Sequence, residues 1–163
     1  MRLFIAIQLS DEMKNALIEA QNQMRAQRIA GNYTPEENLH LTLAFIGDYP
    51  EPDDVALPDF APFALTLSGY GCFGDLWWAG IGSSAPLEAI VRRLRRRLSE
   101  DGIPFDRKRF SPHITLVRRA VGQPILALPS VGMRVEAISL MRSDRGKRGM
   151  IYTELRRQRA SDL

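Results

Sequence analysis

The sequence predicts an α+β fold: two antiparallel sheets, each backed by one helix, related by an approximate two-fold axis across a central cleft. Three observations carry this. The chain aligns with itself at an offset of 73 residues, which sets His40 on His113, Thr42 on Thr115, Leu3 on Leu76 and Ala16 on Ala89. Each of the two units so defined runs strand, helix, turn-rich stretch, strand. Further strand patterns lie between and after them. Residues 1–163 are therefore expected to form a single domain with an internal repeat, one unit around His40 and one around His113.

The elements follow in order. Residues 3–8 form a short apolar run, the pattern of a buried strand. Ser10 is a good N-cap, and Asp11 and Glu12 place negative charge in the first turn against the helix dipole. Met13, Leu17, Ala20 and Met24 then mark one face of a helix. Residues 31–38 are turn-rich. Residues 39–46 read as a strand; regular alternation puts His40, Thr42 and Ala44 on one face and Leu39, Leu41, Leu43 and Phe45 on the other. Residues 48–62, rich in Pro and Asp, read as the linker between units.

The second unit repeats this grammar. Residues 76–81 form a strand in which the adjacent Trp77 and Trp78 point to opposite faces. Ser83 or Ser84 caps a helix with Pro86 in its first turn, and Leu87, Val91, Leu94 and Leu98 form its apolar stripe. Asp101-Gly102 ends that helix, and residues 110–118 contain the second histidine strand. Residues 63–68, 133–141 and 150–156 are further strands. The last resembles the opening strand, so the two ends of the chain are expected to share a sheet.

Composition is that of an ordinary globular protein, 45% hydrophobic and 25% charged. No run approaches the roughly 18 apolar residues of a membrane span, and no cleavable signal pattern opens the chain. Cys72 is the single cysteine, which excludes an internal disulfide and a cysteine metal site and fits a reducing cytoplasm. Nothing in the pattern demands an oligomer, so a monomer is expected. The basic residues are 19 Arg against 3 Lys, and Arg is the better forked partner for phosphate. Arg92, Arg93, Arg95, Arg96 and Arg97 surround the apolar stripe of the second helix and read most simply as a solvated face, with a nucleic-acid role as the alternative.

The chemistry lies in Leu39-His40-Leu41-Thr42-Leu43 and Pro112-His113-Ile114-Thr115-Leu116. These motifs hold the chain's only two histidines. A strand histidine is ordinarily a packed or solvated residue; what sets this pair apart is the duplicated setting. Opening a cyclic phosphodiester needs a base for water and an acid for the leaving oxygen. With an unperturbed pKa of about 6.5, one neutral and one charged imidazole coexist near neutral pH. Two histidines on facing walls suit in-line attack, and the Thr42 and Thr115 hydroxyls can donate to non-bridging oxygens. Arg118, five residues after His113, adds positive charge where negative charge builds. A metal is not expected, because no carboxylate or cysteine repeats beside the histidines.

The two His-x-Thr motifs in this context resemble the two-histidine (2H) phosphoesterase superfamily, and within it the bacterial and archaeal RNA 2',3'-cyclic phosphodiesterases, the LigT-like or ThpR-like family once described as 2'-5' RNA ligases. The resemblance covers nearly the whole chain, from Arg2-Leu3-Phe4-Ile5-Ala6-Ile7 through Trp78-Ala79-Gly80 to Tyr152-Thr153. It is strongest over the ten residues from Asn38 to Gly47 and from Pro112 to Arg118. It implies a bilobed fold with a central cleft, no cofactor and no metal. The implied reaction is hydrolysis of RNA terminal 2',3'-cyclic phosphate, or of a small cyclic nucleotide, to a 2'-phosphate. His40 matches the family's proton donor and His113 its base; Thr42, Thr115 and Arg118 match the phosphate site. Phe45 matches a residue linked to nucleobase stacking, against the alternation above, which sends it to the core. Reversible 2'-5' ligation, with an RNA 5'-hydroxyl in place of water, is an alternative reading. A non-catalytic module that binds nucleotides or RNA ends is another, though binding alone does not require two proton-transfer groups.

Overall fold

Strand β1 (Arg2–Gln8) owes its central position to Leu3, Phe4, Ile5, Ala6 and Ile7, all buried, so both of its faces must be covered. In the computed structural model, which describes residues 1–161, β1 lies between two antiparallel neighbours, β3 (His40–Asp48) and β8 (Ala137–Gly146). Strand β9 (Gly149–Arg159) completes a four-stranded sheet in the order β3-β1-β8-β9, so the strands nearest the two chain ends share a sheet as expected. The second sheet has five strands: β2 (Ala30–Tyr33), β6 (His113–Val121), β5 (Leu76–Ile81), β4 (Phe63–Phe73) and β7 (Gly132–Val135), in that spatial order.

The two-fold is legible in these orders, with β3-β1-β8-β9 corresponding to β6-β5-β4-β7. Strands β3 and β6 are each nine residues long, with ranges offset by 73. Helix α1 (Asp11–Ala26) is capped by Ser10, whose Oγ accepts from the Met13 N–H. Helix α2 (Ala85–Glu100) is capped in the same way by Ser84, which accepts from the Leu87 N–H. All the stripe residues expected from the sequence are buried in both helices. The helices are exchanged between units: α1 lies against β6 and β7, and α2 against β3. Each half thus buries its apolar face on the other, which ties the two cleft walls together.

Three expectations change. The stretch 31–38 holds all of β2 but Ala30; β2 pairs with β6 of the other unit and is followed by a 3-10 turn at Glu36–Asn38. The strand expected over 133–141 is two strands: the chain leaves β7 at Val135 and enters β8 at Ala137, changing sheet at Glu136. The linker 48–62 is also part of the core, since Val55 and Phe60 are buried. No helix among the described residues is long and apolar enough to cross a membrane.

Candidate active site

Two strand irregularities build the site. On β3, Thr42 pairs with Ala6 and Ala44 with Ile5, so Leu43 is an extra residue. On β6, Thr115 pairs with Trp78 and Val117 with Trp77, so Leu116 is the extra residue. Leu43 and Leu116 are equivalent under the repeat, and each is a β-bulge that reverses the in–out alternation beyond it. Strict alternation puts Ala44 on the histidine face and Phe45 in the core. The bulge does the reverse: Ala44 is buried in the core, and Phe45 is 49% exposed and lines the cleft. The bulge in β6 acts identically on Arg118, the repeat partner of Phe45, and turns it from the far face into the cleft. The two walls therefore offer His, Thr and a third group, which is an aromatic ring on one wall and a guanidinium on the other.

His40, Thr42, Phe45, His113, Thr115 and Arg118 all line one cavity of about 910 Å³ between the sheets. The histidines are held alike. His40 donates from Nδ1 to the Asn38 carbonyl at 2.7 Å, and His113 donates from Nδ1 to the Ser111 carbonyl at 2.8 Å. A carbonyl only accepts, so each Nδ1 carries a proton and each Nε2 is the nitrogen available for chemistry. The Thr42 hydroxyl lies 2.8 Å from His40 Nε2 and donates to it when the ring is neutral. The sequence holds no sign of the two carbonyls, although Asn38 and Ser111 are themselves 73 residues apart.

The aromatic packing around the two rings leaves no local signal in the sequence either. The Phe4 ring lies 4.9 Å from His40, and Tyr152 meets the same imidazole edge-on at 5.1 Å. On the other wall Phe73 and Trp78 lie 5.1 and 6.4 Å from His113. Of the Trp doublet, Trp77 packs on the core and Trp78 shares the Thr115 side of its sheet. Opposite His113 the strand carries Gly80, where any Cβ would sit 2.4 Å from the Ser68 carbonyl, so only glycine lets β4 and β5 approach there.

Burial among these rings holds the His40 pKa down at about 4. The Asn38 carbonyl favours the charged ring, while Arg118 and His113 oppose it. His40 is thus neutral at neutral pH. The unfolded chain, with a histidine pKa of about 6.5, takes up this proton first, so stability must fall as pH drops from about 6.5 to about 4. The loss is about 3 kcal/mol. Denaturant unfolding at about pH 7 and about pH 4 should show wild type losing that much more than His40→Gln. Equal losses would mean that His40 is not buried neutral.

Among the described residues, no three His, Cys, Asp or Glu side chains cluster so as to hold a metal ion. Residues 13–147 match the family model described as the 2'-5' RNA ligase superfamily. An RNA 2',3'-cyclic phosphodiesterase of Thermus thermophilus is 35% identical over 178 residues, spanning 95% of this chain and 88% of its own. The crystal structure of Escherichia coli LigT in apo form superposes with a TM-score of 0.85 at 27% identity, covering 99% of this chain and 98% of LigT. LigT complexed with 3'-AMP superposes at 0.83 with the same identity and coverage.

Proposed function

The chain belongs to the 2'-5' RNA ligase superfamily, and we propose that it hydrolyses the 2',3'-cyclic phosphate end of RNA to a 2'-phosphate, without a metal ion, using His40 and His113 as an acid–base pair. The observation that carries this reading is the matched anchoring of the two imidazoles. Each is fixed through Nδ1 to the carbonyl two residues before it, and each has Nε2 left for proton transfer in a shared cavity. The names of the similar proteins, and the 3'-AMP held by LigT, support a ribose-linked phosphate as the group that fills it.

In the proposed reaction His113 Nε2 takes a proton from water as its oxygen attacks phosphorus. The bond from phosphorus to the ribose 3' oxygen breaks, and His40 Nε2–H delivers a proton to that oxygen. The products are a 2'-phosphate and a free 3'-hydroxyl. Thr42 and Thr115 donate to the non-bridging oxygens, and Arg118 balances the charge that accumulates on them. Phe45, turned outward by its bulge, offers a face for the terminal base.

The low His40 pKa gives this scheme a distinctive requirement, since the acid must be loaded when substrate binds. The phosphodiester anion, brought close to a buried ring, favours the imidazolium and offsets the burial that suppresses it. The acidic limb of kcat/KM, which reports the free enzyme, should therefore lie near about pH 4, and that of kcat should lie higher. Profiles measured on an RNA ending in a 2',3'-cyclic phosphate test this. Coincident limbs would rule out loading of His40 by the substrate. If the RNA were joined to a 5'-hydroxyl end instead of being released as a 2'-phosphate, ligation would be the reaction.

A further inference from the structure

Between α2 and the second histidine strand, the chain passes the outer edge of β3. There the Asp106 N–H donates to the Phe45 carbonyl at 2.8 Å, which fastens this segment to the rim of the cleft. The next three residues, Arg107, Lys108 and Arg109, are all exposed and basic. Beside them a pocket of about 270 Å³ is lined by Arg95, Arg96, Ser99, Phe105 and Arg107. The Arg107 guanidinium stacks 4.7 Å from the Phe105 ring centroid, and that of Arg95 lies at 5.7 Å. The ring therefore orders two flexible cations before any ligand arrives. Arg95 also gives one donor to the Lys108 carbonyl, while its Nε has no partner among the described residues.

The neighbouring acids leave this charge largely free. Asp101 pairs with Arg97, and Asp106 accepts from the Lys108 backbone N–H. Neither Arg95, Arg96, Arg107, Lys108 nor Arg109 forms a salt bridge among the described residues. A solvated helix face accounts for Arg92 and Arg93, but not for guanidiniums stacked around a pocket beside the segment that Asp106 fastens to β3.

We infer that the single-stranded RNA 5' to the cyclic phosphate leaves the cleft past Phe45 and lays its backbone phosphates along Arg107–Arg109 and into the Arg95, Arg96 and Arg107 pocket. This second subsite makes the preferred substrate an oligonucleotide over a cyclic mononucleotide. The inference rests on the reading of the cleft as the site for the RNA end. Its chemistry is that of sequence-neutral strand binding, in which ordered cations hold phosphates and affinity falls with salt.

The test compares wild type with the Arg96→Gln/Arg107→Gln double variant, which keeps the length of both stems. Fluorescence anisotropy measures binding of a short labelled single-stranded RNA over a range of salt concentrations, and turnover of a 2',3'-cyclic mononucleotide is followed in parallel. The variant should bind RNA about tenfold more weakly, with a salt slope smaller by about 0.7 for each phosphate it no longer neutralises, and turn over the mononucleotide at the wild-type rate. The Arg96→Lys/Arg107→Lys variant, which keeps the charge, should recover part of the affinity and most of the slope. Unchanged RNA affinity and slope in the Gln variant would overturn the subsite even with hydrolysis intact. Absence of hydrolysis by wild type would instead overturn the reading of the cleft, while arginine-dependent RNA binding would still support the surface.

Discussion

Replacement of His40 or His113 by alanine should each lower kcat on an RNA 2',3'-cyclic phosphate by about 10² to 10⁴-fold. The double replacement should cost little more than the worse single one, because an acid without its base leaves the same step uncatalysed. Folding should survive. The strands on which the rings sit are fixed by Leu41, Leu43, Ile114 and Leu116 in the core. Circular dichroism and thermal melting separate a chemical defect from a structural one. The two variants should also differ at low pH. His40→Ala removes the buried neutral ring and with it part of the acid sensitivity of the fold, whereas His113→Ala retains that ring. If either variant turned over substrate at the wild-type rate, the acid–base pair would be excluded.

Arg118→Gln should reduce kcat/KM by about 10² to 10³-fold, the scale of removing a charge-stabilising donor from a sheltered site. Arg118→Lys should recover only part of it, because a point charge replaces a planar fork. Removing the guanidinium also removes one of the influences that lower the His40 pKa, so histidine NMR titration of Arg118→Gln should show His40 moving upward from about 4. Phe45→Ala, at the equivalent position on the other wall, should act chiefly on KM, at the roughly 1–3 kcal/mol typical of removing a base stack. If Arg118→Gln left both the rate and the His40 titration unchanged, this side chain would not face the reacting phosphate.

The elements were legible because their signals are local. Two Ser caps, two helical stripes and the paired His-x-Thr strands fall where periodicity puts them. What was not legible depends on pairing across the chain. The resemblance names Phe45 and Arg118, but not the bulges at Leu43 and Leu116 that turn them into the cleft, because a bulge is a property of two strands, invisible in the alternation of one. Strand β2, with the short polar sequence Ala-Gly-Asn-Tyr, has no periodicity of its own and is held by its place beside β6. The break at Glu136 follows from Val135 and Ala137 belonging to different sheets, and the exchange of helices between halves is likewise a matter of packing. The aromatic cradle of His40, which sets its protonation, joins Phe4 to Tyr152 from opposite ends of the chain.

In the proposed mechanism this cleft adds water across a cyclic phosphate using two histidines and no metal. Incubation of an RNA ending in a 2',3'-cyclic phosphate in ¹⁸O-labelled water with EDTA, read by mass and by phosphatase sensitivity, tests it most directly. Wild type should yield a 2'-phosphate carrying one ¹⁸O, and the His40→Ala and His113→Ala proteins essentially none. Loss of wild-type activity in EDTA, a joined RNA without the label, or equal conversion by either variant would contradict it.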